Sequence, residues 1–256
     1  MKGELFQMCR LTAAAKSALF GYSGFEFEPI QYENKIEFLC LSDIGDGSIN
    51  ERTAENPERW YEYLTKKGLR EIKLLTATDN KDIRMLGFAN SLRGGIVCYF
   101  KNGEVTEFYP SWAFDKENRV WNVHYTEELK LVYYMDEPPH FDDNSDELRE
   151  VLIEISDLAE RIDCKEFAGI FDKAREILDG GELPENKLPT PKIPEKNLAM
   201  FYAADRADVF GAMGSWNDSP PYMAHEKGLD KEYDELSARL LKNIRLAVLY
   251  AVNEWR

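Results

Sequence analysis

The scarce reactive groups of this 256-residue chain are three histidines and four cysteines. His124, His140 and His225 share no H-x-x-x-H or H-E-x-x-H spacing, so any metal site would have to be assembled by the fold. Cys9, Cys40, Cys98 and Cys164 include no C-x-x-C pair, the spacing that zinc and iron–sulfur sites use. They read as buried free thiols of a cytoplasmic protein. No metal and no cofactor is assigned. Asp142, Asp143, Asn144 and Asp146 offer oxygens to calcium or magnesium, but the D-x-D-x-D-G spacing of a calcium loop is absent.

If the chain is an enzyme, a hydrolase is the form it takes, with His124, Ser215 and Asp218 as its candidates and a pocket between a sheet and the loop 211–221. His124 belongs there because a strand residue is held rigidly. The motifs around Ser215 argue against it. Gly211-x-x-Gly214-Ser215 lacks the lysine of a P-loop and follows a helix, and no G-x-S-x-G elbow is present. The same loop carries Trp216, Asn217 and Tyr222 among glycines and prolines. These aromatics either pin the loop to the core or offer anchors to a partner, with Asn217 as a polar neighbour. Phe108-Tyr109-Pro110-Ser111-Trp112, with Trp121, forms a second aromatic cluster, suited to covering a sheet.

Charge is concentrated in one place. Between Asp136 and Asp163 stand eleven carboxylates against Arg149 and Arg161, a local net charge of −9 in a chain of net charge −15. Such a field repels nucleic acid and anionic membranes and attracts basic proteins. The partner-binding candidates are therefore Asp142, Asp143, Asp146, Glu147 and Glu150, together with Trp216 and Asn217. Residues 136–146 read as a loop because of their prolines and Asn-Ser pair. The acids that follow lie on the polar face of a helix, where Glu147, Glu150 and Glu154 line up on one side.

The elements that must position these groups follow from periodicity. Lys2–Phe20 reads as a helix of the mature fold rather than a signal peptide, since Glu4, Arg10 and Lys16 interrupt it. Ile36–Leu41 suits a strand covered on both faces, followed by a turn-rich loop from Asp43. Asn56 caps a helix with Pro57 at its first position, ending at Gly68. Glu71–Thr76 is a second strand, and Asp79 caps a helix that closes at Gly94-Gly95. Gly95–Lys101 and Glu104–Tyr109 flank Asn102-Gly103, the signature of a two-residue type I′ hairpin. That loop sets Tyr99 opposite Thr106 and Val97 opposite Phe108, and puts Cys98 on one face with Glu107. Arg119–Tyr125 and Leu129–Met135 continue the meander.

From Ser145 the chain is helical. Leu148, Val151, Leu152, Ile155, Leu158 and Ile162 share one stripe, and Asp163 opens a second helix ending at Gly180-Gly181. Leu183–Asn197 contains four prolines and reads as an extended connector or a strap. Asn197–Phe210 is helical, and a long helix runs from Asp230 to Trp255. The fold class is α+β: an antiparallel meander with flanking helices over 1–135, then an acidic loop, a helix hairpin, the connector and the long helix over 136–256, integrated by that last helix.

The function this supports is a non-enzymatic cytoplasmic module presenting an acidic surface to a basic protein, in the manner of inhibitors and immunity proteins. The alternatives are the hydrolase above and a structural homo-oligomer joined through its last helix.

Overall fold

A computed structural model of the chain describes residues 3–43, 49–78, 94–129, 137–184, 188, 193–211 and 213–256. Six strands are described: β1 (Glu33–Asp43), β2 (Ile49–Ala54), β3 (Leu69–Thr76), β4 (Gly94–Phe100), β5 (Val105–Asp115) and β6 (Val120–Leu129). The described helices are α1 (Gly3–Leu19), α2 (Pro57–Lys67), α3 (Ser145–Arg161), α4 (Lys165–Leu178), α5 (Glu195–Ala207), α6 (Pro220–Glu226) and α7 (Asp230–Asn253). The α+β class stands. The expected helix from Asp79 and the body of the strand expected at Leu129–Met135 lie outside the described residues; Leu129 itself ends β6.

The sheet is mixed rather than antiparallel. Its order is β2-β1-β6-β5-β4-β3, and β1 runs parallel to β6 while the other neighbours are antiparallel. Hairpin signals are local and legible, whereas β1 finds β6 across most of the first half of the chain. β2, Ile-Asn-Glu-Arg-Thr-Ala, is a polar edge strand with no apolar alternation to announce it.

The β4–β5 register also differs from expectation. Ile96 faces Phe108, Val97 faces Glu107 and Cys98 faces Thr106. Phe100 N–H donates to the carbonyl of Glu104 at 2.9 Å, so three residues, not two, make the loop. Gly103 is left-handed at φ +85°, but Asn102 is not, and a type I′ turn needs both. A one-residue slip moves each side chain to the opposite face. Phe108 therefore joins Ile96 and Cys98, and Glu107 lies across from them.

One sheet face is the core. Phe38 stacks between Trp60 of α2 at 4.6 Å and Tyr125 at 4.9 Å, and Phe108 meets Phe38 edge-on. The Tyr125 hydroxyl donates to Gln7 of α1 at 2.8 Å, so α1 and α2 share this face. The other face stays open over β5 and β6, where Ser111, His124, Thr126 and Glu128 are exposed. Strand β1 accordingly alternates, burying Ile36, Phe38 and Cys40 and leaving Glu37, Leu39 and Leu41 half-buried.

The helix hairpin α3–α4 buries the stripe expected of it, with Asn144 and Cys164 rather than Ser145 and Asp163 at the cap positions. Helix α5 begins at Glu195, and α6 forms where Ser219 precedes two prolines, a start signal hidden inside an apparent loop. Of the Pro-rich connector, Leu188 and Ile193 are buried in the core. Helix α7 packs against α1, α3, α5, α6 and β3, so its apolar face is used within the chain.

The C-terminal end of α7 closes the sheet. β3 is an edge strand, and the Asn253 side-chain amide accepts from Leu74 N–H and donates to Leu74 C=O, both at 2.8 Å. One carboxamide thus does what a neighbouring strand would do. The Asn253 carbonyl, at the negative pole of the helix, accepts from Lys16 at 2.7 Å and Lys73 at 3.2 Å. Glu71 sits 3.3 Å from Lys16, and Glu254 2.8 Å from Lys73.

Replacing Asn253 with Leu orphans both Leu74 groups and should destabilise the fold by about 2–4 kcal/mol in urea unfolding; an unchanged midpoint would discount the clamp. Lys16 supplies a pH test. Burial draws its ammonium down to about 8, against the pull of Glu71. The unfolded amine titrates near ~10.4, so between these values the unfolded chain holds more protons and stability rises with pH. Wild type should therefore gain thermal stability relative to Lys16→Met from about pH 7 to pH 10. A flat difference would contradict a charged Lys16 held out of water.

Candidate functional site

The acidic helix α3 is set by two demands. Its apolar stripe buries against α4 and α7, which forces the carboxylates outward. Asn144 ties its start to α7 by donating to the carbonyl and side-chain oxygen of Asn243, both at 3.0 Å. The Asp143 carboxylate accepts from Ser145 N–H at 2.9 Å, satisfying a first-turn amide that has no helical acceptor.

Around this corner the fold adds cations that sequence proximity did not show. Lys196 of α5 pairs with Asp143, and Arg239 of α7 reaches Glu154 at 2.6 Å and Glu150 at 3.6 Å. Arg149 spans Asp146 at 2.5 Å and Asp179 at 2.7 Å, and Arg161 holds Glu232 at 2.6 Å. Partial burial opposes ionisation of Asp143, but Lys196 and the Ser145 amide overcome it and hold the carboxyl below its usual range. Arg149 is raised above its ordinary value, chiefly by its bond to Asp179.

The acids are not thereby hidden. The side chains of Asp142 and Asp146 are 98% and 92% exposed, and Glu147 and Glu150 are also outward. Exposed pairs of this kind contribute little to stability and exchange easily. Ile153, half exposed, stands on the same outward face with Glu150 and Asp157.

Beside the first turn of α3 is a groove of about 450 Å³ where the start of α5 meets the end of α4. Ile177, Leu178, Leu183, Ala199 and Met200 give it an apolar floor, and Arg149, Glu195 and Lys196 stand at its rim. The sequence named the acids next to it but not the groove. Its walls come from three helices joined partly by the Pro-rich segment, and no local pattern records that meeting.

The other candidates have surroundings of their own. Trp216 does not face a partner: it is 0% exposed, packed against Phe167, Phe171 and Tyr233, with its indole N–H donating to Ser237 at 2.8 Å. A Trp is costly to leave in water, so the loop folds it inward and turns Tyr222 and Met213 outward instead. Asn217 is spent inside the loop, accepting from Gly211 N–H and Ser215 hydroxyl, each at 3.1 Å. Asp218 accepts from Gly214 N–H at 2.7 Å. His124 lies on the open sheet face, 3.4 Å from Glu37 and across from Ser111. Its described contact is to Glu37, whereas Ser215 and Asp218 make theirs within their own loop. Of the second aromatic cluster, Phe114 and Trp121 remain partly exposed.

Two further charge clusters escaped sequence reading because they join distant segments. Glu127, fully buried, accepts from Leu41 N–H at 2.6 Å, Tyr63 hydroxyl at 3.0 Å and Lys67 at 3.1 Å. Arg245 and Asp208 form a buried pair at 3.4 Å. The thiols are chemically quiet: burial pushes Cys40 up to about 12 and raises Cys9 and Cys98 strongly, which disfavours the thiolate a nucleophile needs. Among the described residues no three His, Cys, Asp or Glu side chains are grouped to hold a metal, and no helix is long and apolar enough to cross a membrane.

Comparison of the chain with protein-family models, curated proteins and solved structures finds no match. No residue role is therefore carried over from another protein.

Trp216→Ala should cost about 3–5 kcal/mol in equilibrium unfolding, as removal of a packed indole does. A stable variant with altered binding would return Trp216 to the role of surface anchor.

Proposed function

We propose that this chain is a binding module that presents the outward face of α3 and the loop before it to a basic protein. One observation carries the reading: Asp142, Asp146, Glu147 and Glu150 are exposed carboxylates on a helix whose position is fixed by its buried stripe and by Asn144. Charges held on a rigid element raise association rates and orient encounter without requiring the surface to reorganise. An inhibitor or immunity-type role is the specific form of the reading, in which these carboxylates stand where a basic active surface would otherwise meet phosphates. The four free cysteines fit a reducing compartment such as the cytoplasm.

The binding reading is preferred to the enzyme reading because the printed contacts of Ser215 and Asp218 are made within their own loop and that of His124 is to Glu37. The homo-oligomer reading loses its seam, because the apolar residues of α7 are occupied inside the chain.

The test is a pull-down at low salt and at physiological ionic strength, followed by association kinetics with the protein captured. The variant replaces Asp142 and Asp146 by Asn and Glu147 and Glu150 by Gln, and leaves Asp143 in place because it satisfies the Ser145 amide. Its association rate should fall about tenfold or more and lose most of its salt dependence, with the melting temperature kept. Equal rates for variant and wild type would remove the reading.

A further inference from the structure

Gly169 lies inside α4, where glycine is less favourable than alanine. It is exposed, and a Cβ there would meet nothing within 4 Å among the described residues. Other glycines have a reason within the fold: a Cβ at Gly95 would strike the Glu107 carboxylate, and one at Gly181 the Glu176 carbonyl. No described neighbour asks for glycine at 169. What a bare position on an exposed helix face permits is the close approach of another backbone.

A second exception stands on α3. Ile153 is 49% exposed, whereas every other leucine and isoleucine of that helix is buried. Arg149 reaches Asp179 while the Ser156 hydroxyl donates to Asp172 at 3.1 Å, so α3 and α4 run antiparallel side by side. Ile153 lies one turn before Ser156, and Gly169 one turn before Asp172, so the two exceptions flank one interhelical contact. Charge is unequally shared between the helices. Around Gly169 it is balanced, Glu166 and Asp172 against Lys165 and Lys173. Helix α3 carries six carboxylates against Arg149, Arg161 and, from α7, Arg239, and so remains negative. Glu150 and Asp157, one turn to either side of Ile153, are 67% and 68% exposed, and Arg239 and Arg161 stand 3.6 and 3.7 Å from them.

We propose that a basic amphipathic helix of the partner docks lengthwise on α3 and α4. Its backbone comes closest at Gly169, an apolar side chain covers Ile153, and lysines or arginines one turn away meet Glu150 and Asp157. Two helices side by side offer ridges and a groove to a third, and the side chains at the contact set how near it lies. Positive charge is the complement of α3, and a second copy of this chain, with net charge −15, is a poor match. This inference rests on the reading of the chain as an acidic binding module and adds the form of the partner and its point of closest approach.

Gly169→Ala distinguishes docking from a purely helical role, because alanine improves the helix while its methyl group stands in the way of a partner. The probe is a fluorescein-labelled peptide of lysine, leucine and alanine with one apolar helical face, titrated by anisotropy against the full chain. A peptide of the same composition, scrambled so that it has no apolar face, is titrated beside it. Wild type should bind the amphipathic peptide about fivefold or more tightly than the scrambled one. Gly169→Ala should melt about 2–4 °C higher yet bind the amphipathic peptide about threefold more weakly, and Gly169→Gln about tenfold more weakly. Equal binding of the two peptides by wild type, or unchanged binding by Gly169→Gln, would overturn helix docking. The acidic-module reading would survive that result if the variant neutralised at Asp142, Asp146, Glu147 and Glu150 still lost affinity for both peptides. If that variant bound both peptides as wild type does, both proposals would fall.

Discussion

The sheet of this protein ends on one side at β3, and an open edge there would leave a row of unpaired amide and carbonyl groups. Asn253 prevents that at Leu74 by using its side chain as a piece of backbone. The arrangement needs α7 to arrive at a fixed height, and the lysines of α1 and β3 hold it there through the Asn253 carbonyl. Much follows from this one junction. Because the end of α7 is anchored on the sheet, its length carries it outward past α5 to α3, and the helical part acquires its position from the strand edge. The cost is a buried ammonium, Lys16, whose charge is compensated by Glu71 and by the helix terminus rather than by water.

The acidic segment shows a different balance. On α3, hydrophobic burial acts on one stripe and leaves the charge no choice but the opposite side. Mutual repulsion along that face is relieved by cations recruited from α5 and α7, Lys196 and Arg239. These contacts moderate the field without covering it, since Asp142 and Asp146 remain in water. A segment of net charge −9 in sequence is thus a less negative surface in space, with its most accessible carboxylates gathered near the start of α3, beside the groove.

The buried polar groups elsewhere are structural in character. Glu127 meets three donors from β1 and α2, which joins the β1 side of the sheet to the helix above it. Its three donors all come from the protein itself, which ties this carboxylate to the junction of β1 and α2. The three buried thiols sit where the thiolate is disfavoured.

Periodicity by itself determined the long helices of the second half and most strands, because a 3.6-residue or two-residue repeat is written in consecutive residues. The limits of α2 were legible from Asn56, Pro57 and Gly68, and the stripe of α3 from its leucines and isoleucines. The acidic candidates were legible too, since exposure of charge follows from the burial of its neighbours. Tertiary structure alone decided the parallel pairing of β1 with β6, the three-residue loop at Gly103, the inward turn of Trp216 and the groove at the start of α3. Each of these depends on where a segment distant in sequence comes to lie, or on a single backbone dihedral that several residues could have adopted. Local patterns specify which face of an element seeks cover, and only the assembled chain specifies what covers it.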